Sequence, residues 1–281
     1  MPLDESLVGV PSDPARRTWG SKDALLYAVG VGAGQDHTLH ELPFVTENSA
    51  QVDQRVLPTF AVLATQAPSG RKLGNFDPAM LVHAEQSFHI DGLLPVDGDV
   101  QVTSRVVSMQ DKGSGALVVV EADAVDSVTG APVASTRSSM FIRGETVGGG
   151  RASSPEVAPM PSGAPDAKVT YATRPEQALV YRLSGDRNPL HSDPSFAARA
   201  GFDRPILHGL CTYGITGRAL LHELCGSDPA RLRSMEGRFT KPVRPGQDLT
   251  VSIWNTADGT RFRTELSDGT VVIDRGTVVV A

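Results

Sequence analysis

Residues 181–214 read YRLSGDRNPLHSDPSFAARAGFDRPILHGLCTYG, and their reading decides how the rest of the chain is understood. Four polar side chains stand among apolar ones: Asp186, Asn188, His191 and His208. Burying such groups without partners is costly. Asp186 and His191 are five residues apart, and Pro189 biases Asn188 toward extended or turn backbone. An irregular loop is expected, folding both side chains toward one point. A short helix should follow, with Ser192 or Asp193 as its cap, Pro194 in its first position and Gly201 at its end. A second helix is expected from about Leu210 to Cys225. Gly209 sits at its start, where free N–H groups and the positive end of the helix dipole suit a developing oxyanion.

Outward from this stretch, the chain has 281 residues, enough for one large or two ordinary domains. A hydrophobic fraction of 40% supplies a packed core, and a net charge of −6 argues against a nucleic-acid surface. The opening residues have no basic-then-apolar pattern of a secretory signal. No apolar run reaches the roughly 18 residues of a membrane span. Cys211 and Cys225 fall on one helix, about 21 Å apart by its rise, too far to pair. They read as small core residues of a cytoplasmic protein.

Residues 1–20 are polar and proline-containing and are expected to wrap the surface. Ser21–Val29 reads as a helix capped by Ser21, ended by Gly30, Gly32 and Gly34. A nucleotide-binding glycine loop would precede its helix, so these glycines read as a cap and turn. Pro58–Ala64 fits a strand or a short helix. Four strands then follow at Ala84–Ile90, Asp99–Gln110, Ala116–Val125 and Ala134–Arg143. Gly144–Asp166 is a Gly/Pro/Ser/Ala linker. Beyond the second helix, strands are expected at Met235–Thr240, Asp248–Asn255, Arg261–Leu266 and Thr270–Val280.

The two halves look like diverged copies. His83–Ile90 with its Pro/Gly turn parallels Met235–Lys241 with its own, but only the second copy carries Asp-x-Asn-Pro-x-His and a long central helix. The expected fold is α+β, a double hot dog: two tandem repeats whose antiparallel sheets wrap a central helix. The expected divisions are residues 1–150, a degenerate substrate-binding repeat; 151–166, a linker; and 167–281, the repeat carrying the motif.

The pattern Tyr181, Leu183, Ser184, Gly185, Asp186, Asn188, Pro189, Leu190, His191, followed by Arg204 to Gly209, resembles the hydratase 2 family. These are the (R)-specific enoyl-CoA hydratases of the MaoC-like group, which includes the hydratase 2 domain of peroxisomal multifunctional enzymes. The segment around Tyr27–Ala33 is also similar to the family's. The resemblance implies a hydro-lyase that interconverts (2E)-enoyl-CoA and (3R)-3-hydroxyacyl-CoA. It implies Asp186 and His191 as the catalytic pair, with Asn188 orienting loop or water and the Gly209 N–H as oxyanion donor. It further implies contacts to the acyl-CoA from His83, which opens His83-Ala84-Glu85-Gln86 with Ala in place of the family's Gly. Lys112 in the Asp111–Gly115 turn would meet CoA, and Phe239 would line the pocket. No cofactor or metal is expected, and a homodimer is.

The chemistry matches these residue types. Hydrating an unsaturated thioester needs a base for water, an acid for C2 and a donor for the enolate oxygen. A carboxylate and an imidazole facing one water handle the protons; which is acid and which base stays open. Blander readings stand beside this one. Asp-x-Asn-Pro alone is usually an Asx-turn, Lys112 a solvated turn residue and Phe239 plain core. His208 either braces the turn or assists. His89 and His222 read as a strand-face and a solvated helix-face residue. Lys241 and Arg244 are cationic candidates by position. His191 and His208, 17 residues apart without a Cys or Glu cluster, give no metal motif, and no nucleophile elbow is present. Two rivals remain: dehydration of a 3-hydroxyacyl group on a carrier protein, and a non-catalytic acyl-CoA-binding hot dog.

Overall fold

The computed structural model describes residues 3–35, 38–67, 71–148 and 159–281. In chain order the elements are β1 (Ala15–Trp19), α1 (Ser21–Gly30), α2 (Thr38–Val45), α3 (Ala61–Ala64), β2 (Leu81–His89), β3 (Gly98–Asp111), β4 (Gly115–Asp126) and β5 (Pro132–Arg143). There follow β6 (Ala167–Ala172), α4 (Gln177–Tyr181), α5 (Pro194–Arg199), α6 (Gly209–Cys225), β7 (Leu232–Phe239), β8 (Asp248–Thr256), β9 (Gly259–Glu265) and β10 (Val271–Val280).

The ten strands form one antiparallel sheet in the order β1-β3-β4-β5-β2-β7-β10-β9-β8-β6. The order repeats outward from the β2–β7 seam. On one side lie β5, β4, β3 and β1; on the other lie their counterparts β10, β9, β8 and β6. The seam pairs Glu85 with Arg238 and His89 with Ser234. This is the expected double hot dog.

The central helix α6 shows why the second half is the better formed. Every residue from Leu210 to Leu221 is buried, the signature of a helix enclosed on all sides. Two of its glycines permit that enclosure. A Cβ on Gly214 would stand 2.5 Å from Val31 Cγ1, and one on Gly217 would stand 2.3 Å from Thr59 Cγ2. In the first half, a 3₁₀ turn at Pro58–Phe60 and the four residues of α3 occupy the equivalent position, so Pro58–Ala64 is helical and wholly buried. That substitute is far shorter than the 17 residues of α6.

Three local expectations are corrected. Residues 15–19 do not merely wrap the surface: Ala15, Arg17 and Trp19 turn inward and the segment pairs with β3 as an edge strand. Trp19 then donates its indole N–H to the Pro95 carbonyl at 3.0 Å. The cap of α1 is Gly20, not Ser21, because the Ser21 hydroxyl is drawn to Gln54 at 2.6 Å, while Asp23 accepts from the Gly20 N–H at 2.9 Å. His222 is not solvated. Its Nε2 lies 2.9 Å from Glu41 Oε1, and its Nδ1 2.7 Å from the Ser227 hydroxyl. His89 does stand exposed on its strand, beside Asp91.

Glu41 on α2 is the hub of that buried contact. It is 2% exposed and accepts from Arg218 Nε at 2.8 Å, Arg218 Nη2 at 2.7 Å and the Gly34 N–H at 2.6 Å. Burial pushes the Glu41 carboxyl up, but the His222 hydrogen bond, the Arg218 charge and the Gly34 N–H outweigh it and hold the group at about 2. Arg218 also donates to the Val31 carbonyl and stacks over Tyr171, 4.4 Å from its centroid. The cluster pins the first-half helices α1 and α2 onto α6. Among the described residues, no helix is long and apolar enough to cross a membrane.

Candidate active site

The loop after α4 folds as its sequence dictates. Gly185 takes φ +135°, a region that favours glycine. Asp186 then accepts from the Asn188 N–H at 3.1 Å, and Asn188 accepts from the Leu190 N–H at 3.0 Å. Pro189–His191 forms a 3₁₀ turn that carries His191 inward to 8% exposure. Asp193, rather than Ser192, caps α5, accepting from the Ser195 and Phe196 N–H groups. Gly201 follows that helix at φ +88°.

His191 is oriented from behind. Its Nδ1 lies 2.9 Å from the Ile206 carbonyl, which only accepts, so Nδ1 carries the proton and Nε2 offers a lone pair. Burial lowers the His191 pKa, against the partial opposition of the Ile206 carbonyl and Asp186, so the ring is neutral at pH 7. His208 stacks on it, with centroids 3.7 Å apart and planes inclined by 27°. The other face of His208 meets Tyr181 at 4.8 Å, and its Nε2 donates to the Asp186 backbone carbonyl at 3.2 Å. Burial, reinforced by His191, pushes His208 down to about 2. His208 is therefore a neutral platform that ties together the loop, His191 and the start of α6.

Gly209 opens α6, and its N–H has no hydrogen-bond acceptor among the described residues. A Cβ there would rest 3.5 Å from the Phe239 ring, an ordinary contact. The sheet brings in the remaining partners. His83, near the start of β2, packs edge-on against Phe239 with centroids 5.9 Å apart. Burial lowers the His83 pKa, while Asp186 raises it and His191 lowers it further.

These residues share one cavity of about 380 Å³. Asp186, Asn188, His191, Gly209, His83 and Phe239 all line it. Lys112 does not; it sits at the β3–β4 turn, where its N–H bonds the Gly115 carbonyl. Lys241 lines the cavity mouth, whereas Arg244 is engaged by Asp203 at 2.8 Å. The atoms of Asp186, His191 and His208 able to bind a metal lie within 4.8 Å of one another. Sequence spacing did not reveal that grouping, because Asp186 completes it. Ile206 was also missed as a partner, since a backbone acceptor leaves no mark in side-chain identity. Arg143 was missed as well: it ties β5 to the Ala79 and Ala200 carbonyls, beside the His83 end of β2.

A second chamber of about 570 Å³ adjoins the first, with His83 in the wall of both. It lies between α3 and the inner face of β3, β4 and β5, where the first half lacks a long helix. Ser184 and Gly185 of the loop border it.

Residues 18–144 match the MFE-2 hydratase 2 N-terminal domain, and residues 156–276 match the MaoC like domain. The 3-hydroxyacyl-thioester dehydratase Y of Mycobacterium tuberculosis is 46% identical over 99% of this chain and 98% of its own. A probable enoyl-CoA hydratase 2 of Dictyostelium discoideum is 38% identical over 92% of this chain and 90% of its own. The crystal structure of a MaoC-like dehydratase from Phytophthora capsici superposes with a TM-score of 0.84 at 33% identity, over 98% of this chain and 96% of that one. The fold, the loop geometry and these likenesses agree, and the chain belongs to the MaoC-like dehydratase family, with its first half of the hydratase 2 type.

Proposed function

We propose that the protein is an (R)-specific enoyl-CoA hydratase, adding water reversibly to (2E)-enoyl-CoA to give (3R)-3-hydroxyacyl-CoA. The observation that carries this is the convergence of the Asp186 carboxylate, the neutral His191 Nε2 and the open Gly209 N–H on one cavity. The thioester carbonyl takes the Gly209 N–H, with Asn188 steadying the loop. Water is held between Asp186 and His191. Both are acceptors at rest, so the proton delivered to C2 is the one removed from that water. Its oxygen bonds C3, the C2=C3 pair moves toward the thioester as an enolate at Gly209, and the enolate collapses as C2 takes the proton. Oxygen and proton then arrive from one side of the alkene.

His83 and Phe239 flank the enoyl carbons, and the acyl tail passes His83 into the second chamber. Lys112 would meet the CoA phosphates as a point charge from its turn. The chain divides into repeats 1–150 and 167–281 joined by 151–166, of which 149–158 lie outside the described residues. A homodimer and a cytoplasmic setting complete the reading; Cys211 and Cys225, both free and buried, fit the latter.

Dehydration is the same chemistry reversed, and the similarity to a 3-hydroxyacyl-thioester dehydratase favours testing it on carrier-protein thioesters too. Purified protein given CoA and carrier-protein substrates separates the two. A kcat/KM at least as high on CoA supports the hydratase, and turnover only on the carrier protein rejects it.

A further inference from the structure

The wall of the second chamber carries charge that a hydrocarbon tail would leave unanswered. Arg17, on the inner face of edge strand β1, lines the chamber. Its Nε is buried without a hydrogen-bond partner, and its guanidinium makes no ion pair among the described residues. The contrast is with Arg16 beside it, which faces outward and binds Asp99 through two hydrogen bonds. Arg71, donating to the Val10 and Pro11 carbonyls, adds a second positive charge to the wall. No Asp or Glu lines the chamber.

The charge also stands far from the chemistry. β1 and β2 bound this half of the sheet, with β3, β4 and β5 between them. Four inter-strand steps place on the order of 20 Å of sheet between the strand of His83 and that of Arg17. A group reaching Arg17 would therefore be the distal end of a long acyl tail whose thioester sits at Gly209.

We propose, resting on the hydratase reading, that the chamber selects acyl tails ending in a carboxylate: ω-carboxy-(2E)-enoyl thioesters. The distal carboxylate would accept from the Arg17 guanidinium, a pairing the guanidinium's planar fork suits. A charge-assisted contact of this kind is worth about tenfold in affinity.

The test compares kcat/KM for (2E)-enoyl-CoA substrates of matched length, from short to long, with methyl or ω-carboxy ends. The wild-type protein should favour the ω-carboxy substrate by about tenfold at long lengths and not at short ones. In Arg17→Met that ratio should fall to about one or below, and Arg17→Lys should keep part of it. Because each variant is its own reference, general loss of activity does not move the ratio. A wild-type preference for methyl ends at every length overturns the proposal without any variant. An inward charge also guards an open sheet edge against pairing. An unchanged ratio in Arg17→Met, accompanied by self-association, would assign Arg17 that role and overturn selection. If no enoyl-CoA is hydrated, the hydratase reading fails by itself. Calorimetric binding of saturated ω-carboxyacyl-CoA against plain acyl-CoA then still decides the chamber: tighter binding supports the proposal, and equal or weaker binding overturns it.

Discussion

Glu41→Gln changes one atom and should destabilise the fold severely. Glu41 accepts four hydrogen bonds, and the side chain of its partner Arg218 is 2% exposed. Neutralising Glu41 leaves a buried guanidinium without its counter-ion, a change that costs about 3–5 kcal/mol. The pKa gives an independent magnitude. A drop from 4.5 to about 2 corresponds to about 3 kcal/mol at 1.36 kcal/mol per unit. At about 2–4 °C per kcal/mol for a chain of this size, Tm should fall by about 10 °C. The depressed pKa also fixes the pH window: this stabilisation is full above pH 4.5 and is lost as pH falls toward 2. The assay is thermal and urea unfolding followed by circular dichroism at pH 7 and through pH 5–3. Arg218→Met should be similarly damaging. The double variant Glu41→Gln/Arg218→Met should be more stable than the sum of the single losses predicts, because it buries no unpaired charge. Strict additivity, or a Glu41→Gln cost below about 1 kcal/mol, would refute the buried-pair account.

Two further outcomes concern the site. Gly209→Pro should preserve α6, since proline suits the first helical position and His208 already has the extended backbone (φ −58°, ψ 135°) that proline requires before it. It removes the N–H, so kcat should fall by about 10²–10³ while the unfolding midpoint stays close to wild type; unchanged kcat would dismiss the oxyanion role. Burial lowers the His191 pKa below its ordinary 6.5, so the ring stays neutral further into acid, and the acid limb of kcat/KM should bend below pH 6.5. A limb above 6.5 would contradict the neutral, carbonyl-anchored His191.

The parts of the fold that rest on local pattern were open to reading. The long β-branched runs gave β3, β4 and β5, and an uninterrupted apolar helix gave α6, to within a residue or two. The site was legible for the same reason: Asp186, Asn188 and His191 fall in one loop, and Gly209 begins the next long helix. What stayed hidden depends on distant partners. β1 carries Arg17 on its inner face, so its alternation does not look like a strand's. α2 contains Pro43 and is anchored by a charge, Glu41, whose partners lie 177 and 181 residues away. His222 looks like a surface residue until Glu41 arrives. The neutral state of His191 is likewise invisible in sequence, because the Ile206 backbone carbonyl and tertiary burial set it.

The most direct measurement is the reaction itself. Purified protein is given (2E)-enoyl-CoA substrates, loss of enoyl-thioester absorbance is followed, and the configuration of the product hydroxyl is determined, with Asp186→Asn and His191→Gln run alongside. The account predicts a (3R)-hydroxyacyl-CoA product, with kcat reduced by at least about 10²-fold in both variants while each remains folded. An (S) product, or full activity in either variant, would contradict it.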